Sequence, residues 1–166
     1  MRLFSVPVVA LAFLFCAAHA QTEEIPAPQD TVAAFLKSIS GKAGVSRSIE
    51  EINQYLDTDA RTMNAIGKDG KTRPAIQPTS EWLEKGLPHW EKSGYIEECL
   101  KFEVQRYGNI AQVMCPYVFT FGDNAPVQGV VSLQLFYTGT EWKILSYLFT
   151  HESPDKTINE RFELEG

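Results

Sequence analysis

The sequence predicts an α+β domain in which an antiparallel β-sheet packs against helices from the N-terminal half. Residues 94–151 contain four long segments, joined by short turns, in which apolar and polar residues mostly alternate. That period of two is typical of strands with one dry and one wet face. Residues 30–56 instead carry apolar residues at helical spacing. Helices followed by a run of strands are typical of α+β folds, in which the helices cover one face of the sheet.

The first twenty residues have the layout of a cleavable secretory signal. Arg2 precedes an apolar run over residues 6–15, and small residues follow up to Ala20. The run is too short to span a bilayer and remain there, so we expect residues 1–20 to be a signal peptide and the protein to be secreted or periplasmic. An uncleaved anchor is the alternative. Lipid attachment at Cys16 is disfavoured because Phe15, a large residue, stands before it.

Charge and length bound the function classes. Without residues 1–20, 146 residues remain, with 14 Lys and Arg against 21 Asp and Glu, a formal charge of −7. This length suits one domain with a full core. An acidic chain is repelled by polyanions, so we expect no nucleic-acid partner and no membrane contact after signal cleavage.

The first two predicted helices lie between residues 30 and 57. A tether over residues 21–29 precedes Asp30, which is expected to cap the first helix. Apolar residues recur behind it at helical spacing, namely Val32, Phe35, Leu36 and Ile39. Gly41 is expected to end this helix in a left-handed conformation. A second, shorter helix is marked by Ile49, Ile52, Tyr55 and Leu56 and is expected to end near Asp57.

A small hairpin is predicted next. Asp69 and Gly70 form a tight-turn signal between the arms at residues 60–67 and 71–76. Pro74 cannot donate a ladder hydrogen bond, which places the second arm at a sheet edge or outside the sheet. The hairpin therefore adds a peripheral element to the four long strands.

A third helix is expected to begin at Thr79 and Ser80 and to be interrupted by Gly86 and Pro88. Its large apolar residues include Trp82, Leu83 and Trp90. Such residues are rarely left in water, so we expect this helix and the extra turn after it to press against the sheet.

The last two long strands carry apolar residues on both faces. Trp142, Ile144 and Leu148 fall on one face of the last strand, whereas Leu145, Tyr147 and Phe149 fall on the other face. A sheet with two apolar faces needs cover on both. The helices can cover one, so we expect a homodimer that covers the other face of the sheet.

Cys99 and Cys115 are the two cysteines that follow the predicted signal. Each lies eight positions from Tyr107, so a hairpin symmetric about that residue places them opposite one another. Alternation opposes this pairing, because Cys99 falls on the wet face of its strand and Cys115 on the dry face. A β-bulge would remove the conflict. A disulfide and two free thiols both stay open; the disulfide would stabilise the fold by about 3 kcal/mol.

The order of several short motifs resembles the nuclear transport factor 2-like (NTF2-like) superfamily, in particular its secreted bacterial SnoaL-like members. These motifs are Ile39-Ser40-Gly41, Asp59-Ala60-Arg61, Tyr107 to Val113, Ser132 to Leu135 and Glu141 to Ile144. The resemblance covers residues 30–153, which leaves residues 154–166 as a C-terminal tail. Ile158, Phe162 and Leu164 could dock as a short helix, and the rest of the tail is expected to be mostly mobile. It implies a cone-shaped fold in which a strongly curved antiparallel sheet wraps around N-terminal helices and leaves a pocket at one end. The superfamily includes isomerases, dehydratases, cyclases and binding proteins, so the resemblance does not fix a reaction.

Ketosteroid isomerases of this superfamily use a tyrosine of the first helix and two aspartates. The first helix here has no tyrosine. Asp57 and Asp59 lie roughly where a base would be, but at a helix end in a polar stretch, where capping is the simpler interpretation. No catalytic residue is therefore carried over from that family.

The remaining candidates for a site are aromatic residues and one polar pair. Residues that could line an apolar pocket, or could be core, are Trp82, Trp90, Tyr117, Phe119 and Tyr147. His151 and Glu152 could relay protons at the pocket mouth, although adjacent strand residues normally point to opposite faces. His, Cys and carboxylate groups do not occur at metal-ligand spacing, so we predict no metal and no cofactor.

Two functions stay open. The favoured one is an exported domain that binds a small apolar ligand or a partner without turnover. The alternative is an isomerase, dehydratase or cyclase that uses the pocket and a base the pattern does not identify. A desolvated Asp, Glu or His in a closed pocket would favour the enzyme, and a cavity filled by Trp and Phe would favour the binder.

Overall fold

The computed structural model describes residues 25–65 and 74–152, together with Ile158 and Phe162. Over residues 25–65 and 74–152, three helices and seven strands follow in the order α1 (Pro28–Ile39), α2 (Ile49–Asn53), β1 (Leu56–Asn64), β2 (Ala75–Pro78), α3 (Thr79–Ser93), β3 (Tyr95–Cys99), β4 (Glu103–Tyr107), β5 (Ile110–Phe121), β6 (Val127–Tyr137) and β7 (Trp142–His151). Over these ranges no helix is both long and apolar enough to cross a bilayer. The predicted signal, the Asp69-Gly70 turn and Leu164 of the tail lie outside the described residues.

All seven strands form one mixed sheet in the order β2-β1-β7-β6-β5-β3, and β4 pairs with β5 beside β3. Strands β3 to β7 pair antiparallel, as expected for residues 94–151. The prediction of a purely antiparallel sheet is wrong for β1, which runs parallel to β7, with Thr62 opposite Tyr147. Alternation along a strand reports which faces are buried and carries no information on the direction of the partner, so the sequence could not reveal this pairing.

Strands β1 and β2 form the predicted hairpin. They pair antiparallel from Arg61 opposite Pro78 to Asn64 opposite Ala75. β2 is the edge strand, as the position of Pro74 indicated. The second helix ends at Asn53 rather than near Asp57, because Leu56 already pairs with Ile144 of β7.

Helix α1 differs from its prediction at both ends. It begins at Pro28, where the missing N–H costs nothing, and Asp30 lies in its first turn. Gly41 does not end the helix in a left-handed conformation. Instead the chain turns extended at Ser40, and Gly41 exchanges two backbone hydrogen bonds with Tyr95, of 2.7 and 2.9 Å. The chain after α1 therefore pairs with β3 through an isolated β-bridge at Gly41.

Helix α3 is continuous over fifteen residues, so the predicted interruption at Gly86 and Pro88 is wrong. An internal proline costs a helix about 3 kcal/mol. Burial of Leu83, Leu87 and Trp90 against the sheet offsets this cost. Tertiary packing thus overrides the local helix-breaking signal.

Helices α1 and α3 cover one face of the sheet and enclose the core. The fully buried apolar side chains include Val32, Phe35, Ile39, Leu83, Val113, Val131, Leu133 and Ile144. The segment before α1 is fastened to the same core, because the Trp142 Nε1–H donates to the carbonyl oxygen of Pro26 at 2.7 Å.

A β-bulge at Leu145 reverses the alternation of β7. Leu135 pairs with Ile144 and Gln134 pairs with Ser146, which leaves Leu145 without an opposite residue. Tyr147 consequently faces the core with Ile144, whereas Leu148 is exposed. The prediction that Leu148 shares a face with Trp142 and Ile144 is therefore wrong. Apolar side chains still remain on the outer face, and the expected homodimer stays a prediction.

A second irregularity divides the predicted first long strand into β3 and β4. Cys99 pairs with Tyr117, and Glu103 pairs with Met114. Residues 100–102 thus lie opposite residues 115–116. One extra residue on one strand is the mark of a β-bulge. The bulge allows the disulfide between Cys99 and Cys115, whose Cα atoms are 5.7 Å apart.

Two described residues of the C-terminal tail are buried, Ile158 and Phe162. The Ile158 N–H donates to the carboxylate of Glu152 at 3.0 Å, and the Lys101 ammonium donates to the carbonyl oxygen of Phe162 at 3.0 Å. Ile158 and Phe162 therefore dock against the domain, as the apolar residues of the tail allowed. They bring the tail to the end of β7 and to the segment between β3 and β4.

Candidate functional site

A cavity of about 170 Å³ lies between α3 and the sheet. We call it the aromatic pocket, and it is lined by Trp82, Trp90, Tyr95, Glu97, Tyr117, Phe119, Tyr147, Phe149 and His151. Six of the seven residues predicted from the sequence as pocket candidates line it. Glu152 does not, because its carboxylate accepts the hydrogen bond from Ile158.

Strand periodicity brings these side chains together. Tyr95 and Glu97 of β3 are two residues apart and therefore point to the same face of the sheet. The same holds for Tyr117 and Phe119 of β5 and for Tyr147, Phe149 and His151 of β7. Three strands thus supply one wall of the pocket.

Helix α3 supplies the opposite wall through two tryptophans. Trp82, Gly86 and Trp90 follow at intervals of four residues and so share one stripe of the helix. The rings of Trp82 and Trp90 meet with centroids 4.9 Å apart. A Cβ atom at Gly86 would lie 2.5 Å from the Trp90 ring. Glycine at this position is what lets the two rings meet.

The base of the pocket is a buried carboxyl group. Glu97 is 3% exposed, and both of its oxygens accept hydrogen bonds from phenols. The Tyr147 hydroxyl donates to Oε1 at 2.6 Å, and the Tyr95 hydroxyl donates to Oε2. Burial raises the pKa of Glu97, and the two phenol hydrogen bonds oppose that rise without cancelling it. The carboxyl group therefore favours its protonated form more than an exposed glutamic acid does.

The groups around Glu97 hold it in place. Its backbone N–H donates to the Ser40 hydroxyl at 2.9 Å, which ties β3 to the end of α1. Tyr95 stacks on Trp90 with ring centroids 4.7 Å apart, and Tyr147 contacts the Trp82 ring at 5.5 Å. Burial, with the neighbouring Glu97, raises the pKa of both phenols, so they remain hydrogen-bond donors at neutral pH.

Tyr117 is the third phenol of the pocket, and its hydrogen bond goes elsewhere. Its hydroxyl donates to the carbonyl oxygen of Thr150 at 3.1 Å. Gly129 lies opposite Tyr117 on β6, and a Cβ atom there would stand 2.5 Å from the phenol oxygen. Burial raises the pKa of Tyr117 as well. Gly129 therefore makes the space that this side chain occupies.

The rim of the pocket is partly exposed and consists of Trp82, Phe119, Phe149 and His151. The His151 ring contacts those of Phe119 and Phe149, with centroids 5.5 and 6.1 Å apart. Burial lowers the pKa of His151, which favours the neutral form of this side chain. The His151 ring packs against Phe119 and Phe149, whereas the carboxylate of Glu152 accepts a hydrogen bond from Ile158. The two side chains therefore do not form the proton relay considered for them.

The aspartates near the end of α2 take a local role. The Asp59 N–H donates to the carboxylate of Asp57 at 2.9 Å, and both side chains lie away from the aromatic pocket. Both residues lie in β1 and neither caps a helix, so the capping interpretation is wrong. Within the described ranges no group of three His, Cys, Asp or Glu residues could hold a metal ion.

A larger groove of about 470 Å³ lies at the junction of β4, β5, β6 and β7. Tyr107, Ile110 and Leu145 line it together with glutamine side chains. These three residues are exposed, at 87, 59 and 39%. It contains no buried ionisable group among the residues described, so the aromatic pocket is the stronger candidate for chemistry or selective binding.

Sequence reasoning missed Tyr95 and Glu97. Leu100, Phe102 and Val104 set the dry phase of the predicted strand, and counting back from them places Glu97 on the wet face. The bulge between Cys99 and Glu103 reverses that phase. The one available signal was the conflict between Cys99 and Cys115, which already required a bulge at this place.

Neither a protein-family profile nor a curated protein sequence matches the chain. Solved structures do match it. An NTF2-like protein of unknown function from Pseudomonas putida KT2440 is 10% identical with a TM-score of 0.56, over 78% of this chain and 88% of that one. A candidate aromatic ring hydroxylase from Novosphingobium aromaticivorans is 17% identical with a TM-score of 0.55, over 76% and 87%.

A third similar structure is a candidate ketosteroid isomerase from Shewanella frigidimarina. It is 14% identical with a TM-score of 0.52, over 74% of this chain and 93% of that one. At such identities the similarity establishes a shared fold and leaves the chemistry open.

Proposed function

We propose that this chain, which has the fold of the NTF2-like proteins, binds a small organic molecule in the aromatic pocket without turning it over. The observation that carries the proposal is a cavity with aromatic walls and a single buried carboxyl group, Glu97, at its base. Ligand sites are typically apolar cavities with a few fixed polar groups. At about 30 Å³ per water molecule, 170 Å³ holds roughly six waters, which corresponds to a ligand of roughly six to nine non-hydrogen atoms.

Binding fits Glu97 better than general-base catalysis does. Each carboxyl oxygen already accepts a phenol hydrogen bond, and burial favours the protonated form. A general base must be ionised and within hydrogen-bond reach of the proton that it removes. Glu97 meets neither condition readily. A buried carboxyl group held between aromatic rings is instead a fixed polar group that can orient a bound ligand.

The second candidate is an isomerase, dehydratase or cyclase that uses the same pocket. One observation favours it: burial raises the pKa of Glu97 and lowers that of His151, and both line one cavity. Environments that perturb a carboxyl group and an imidazole in one site are typical of acid and base pairs. In that reaction Glu97 would donate a proton and neutral His151 would accept one.

A fluorescence titration tests the binding function. Two of the three tryptophans, Trp82 and Trp90, line the pocket, whereas Trp142 lies elsewhere in the core. We expect saturable changes in emission with small aromatic, amine or alcohol compounds from a fragment panel. Phe149→Trp should block the pocket rim, and Leu148→Trp, the exposed neighbour on the other face, is the matched control.

Mass spectrometry of the recovered ligand separates the two candidates. Unchanged ligand after long incubation supports binding without turnover. Conversion that disappears in Glu97→Gln or His151→Gln supports the enzyme instead. Saturable binding that Phe149→Trp and Leu148→Trp affect equally would place the ligand outside the aromatic pocket and refute both candidates.

Export and the finer shape of the fold belong to the same proposal. The signal-like first twenty residues support export, and the disulfide between Cys99 and Cys115 is what an oxidising compartment favours. The bulges at Leu145 and between β3 and β4 support a curved sheet, because bulges bend the strands that carry them. The mass of the exported protein tests cleavage after Ala20.

A further inference from the structure

We propose that the aromatic pocket is selective for small organic cations, such as a trimethylammonium group. This inference rests on the proposed binding function and names the class of ligand. It follows from the identity of the pocket walls, the single carboxyl group at the base and the size of the cavity.

The walls of the pocket present aromatic rings. Eight of its nine lining residues carry one, namely Trp82, Trp90, Tyr95, Tyr117, Phe119, Tyr147, Phe149 and His151. The face of an aromatic ring carries a partial negative charge, so a cage of rings attracts a cation more than a neutral group of equal size. Tryptophan is the strongest of these partners, and α3 contributes two.

The ionisable groups that line the pocket also favour a positively charged ligand. Among the described lining residues there is no lysine or arginine, and the ionisable groups are Glu97, His151 and three phenols. Of the elements packed around Glu97, α3 contributes its two tryptophans to the lining, β5 contributes Tyr117, and β7 contributes Tyr147 and His151. From α1, the Ser40 hydroxyl binds the Glu97 backbone.

Two further charged groups lie near Glu97 in the structure, Lys37 of α1 and Glu98 of β3. Both are exposed and line a second cavity, which shares Glu97 with the aromatic pocket but none of its aromatic residues. An anionic ligand in the aromatic pocket would thus meet ring faces and a carboxyl group with no cation to pair with. A cationic ligand would meet aromatic rings and a carboxyl group that can ionise.

The carboxyl group at the base is prepared to become charged when a cation arrives. The hydroxyls of Tyr95 and Tyr147 donate to its two oxygens, which is the arrangement that stabilises a carboxylate. Without a ligand, desolvation opposes that charge. A bound cation supplies the missing counter-charge, so Glu97 ionises and one proton leaves for the solvent.

The size of the cavity limits the cation. About 170 Å³ is the volume of roughly six water molecules at about 30 Å³ each, which suits a group of the size of tetramethylammonium or choline. The partly exposed rim of Trp82, Phe119, Phe149 and His151 is the route of entry.

Choline and its neutral isostere 3,3-dimethyl-1-butanol form the matched probe pair. We expect the full chain, expressed for export, to bind choline at least tenfold more tightly by isothermal titration calorimetry. Glu97→Gln should bring the two affinities within about threefold, because the amide cannot ionise. Glu98→Gln, the exposed neighbour on the same strand, should leave the preference unchanged.

The pH dependence gives a second readout that does not need the Glu97 variant to fold. Because binding releases a proton, choline affinity should rise by about tenfold per pH unit while Glu97 is protonated in the free protein, and then level off. The affinity for the alcohol should stay flat. His151→Gln excludes a contribution from protonation of His151, which would repel the cation at acid pH.

The outcomes separate the two proposals. Equal affinity for choline and the alcohol, or tighter binding of the alcohol, overturns cation selectivity and leaves the binding function standing. A choline affinity without pH dependence overturns the role of Glu97. If neither probe binds while other fragments change Trp82 and Trp90 fluorescence, the cation inference fails alone; if no fragment binds at all, the proposed function fails with it.

Discussion

Replacing Glu97 by Gln should remove a pH-dependent loss of stability from this protein. Burial raises the pKa of Glu97 above its ordinary value, so the folded state holds this proton more tightly than the unfolded state does. Such a group contributes stability that is fully present below the unfolded pKa and is lost as pH rises through the folded pKa. Relative to E97Q, the wild-type protein should lose up to about 1.4 kcal/mol of unfolding free energy per pH unit in that interval.

The assay is urea unfolding followed by tryptophan fluorescence, repeated in small steps from acid to neutral pH. The quantity of interest is the difference in unfolding free energy between E97Q and wild type, because other titrating groups cancel in it. We expect that difference to grow in favour of E97Q as pH rises and then to reach a plateau. Glu98→Gln changes the next residue of β3, which is exposed, and serves as the matched control.

Two results would refute the reasoning on Glu97. A difference that stays constant with pH would mean that its proton affinity is equal in the folded and unfolded states. A difference that moves in favour of wild type as pH rises would mean that the two phenol hydrogen bonds outweigh desolvation. In that case Glu97 is ionised in the free protein and binding a cation would release no proton.

Three further variants test the packing of the pocket and the sheet by urea unfolding. Tyr147→Phe should cost about 1–3 kcal/mol, because a buried hydrogen bond to a carboxyl oxygen is lost. Replacing Cys99 and Cys115 together by Ala should cost about 3 kcal/mol, because the unfolded chain regains the freedom of a loop of about fifteen residues. Gly86→Ala should cost about 1–3 kcal/mol, because its Cβ displaces the Trp90 ring.

Each of these expectations has a contrary outcome. An unchanged unfolding midpoint in Tyr147→Phe would show that the hydrogen bond from Tyr147 to Glu97 in the folded protein is no more favourable than the hydrogen bonds of the same hydroxyl to water in the unfolded chain. A double cysteine variant as stable as the oxidised protein would show that the disulfide contributes nothing to the free energy of unfolding. A gain in stability for Gly86→Ala would show that helix propensity outweighs the contact with Trp90.

The sequence was informative where one local pattern decides the outcome. Alternation over residues 94–151 predicted the strands, and the short turns between them predicted their antiparallel pairing. Pro74 predicted an edge position for the second arm of the hairpin. The spacing of Tyr117 and Phe119 placed both on one face of their strand, because side chains two positions apart share a face regardless of how the sheet is assembled. These inferences needed no knowledge of partners.

The sequence was misleading where distant contacts decide the outcome. The bulge before Glu103 reverses the phase of β3 and carries Glu97 into the core, and the bulge at Leu145 does the same for Tyr147. Helix α3 continues through Pro88 because the sheet buries its apolar face. Periodicity describes one element at a time, so an inserted residue or a packing partner that changes the phase is invisible to it.

The central claim, that the aromatic pocket is a ligand site, is tested most directly by crystals soaked with small amines, alcohols and aromatic compounds. The claim predicts electron density between the Trp82 ring and the carboxyl group of Glu97 for at least one compound. Compounds that bind in solution yet appear only in the groove beside Tyr107 and Ile110, or that leave the aromatic pocket empty, would contradict it.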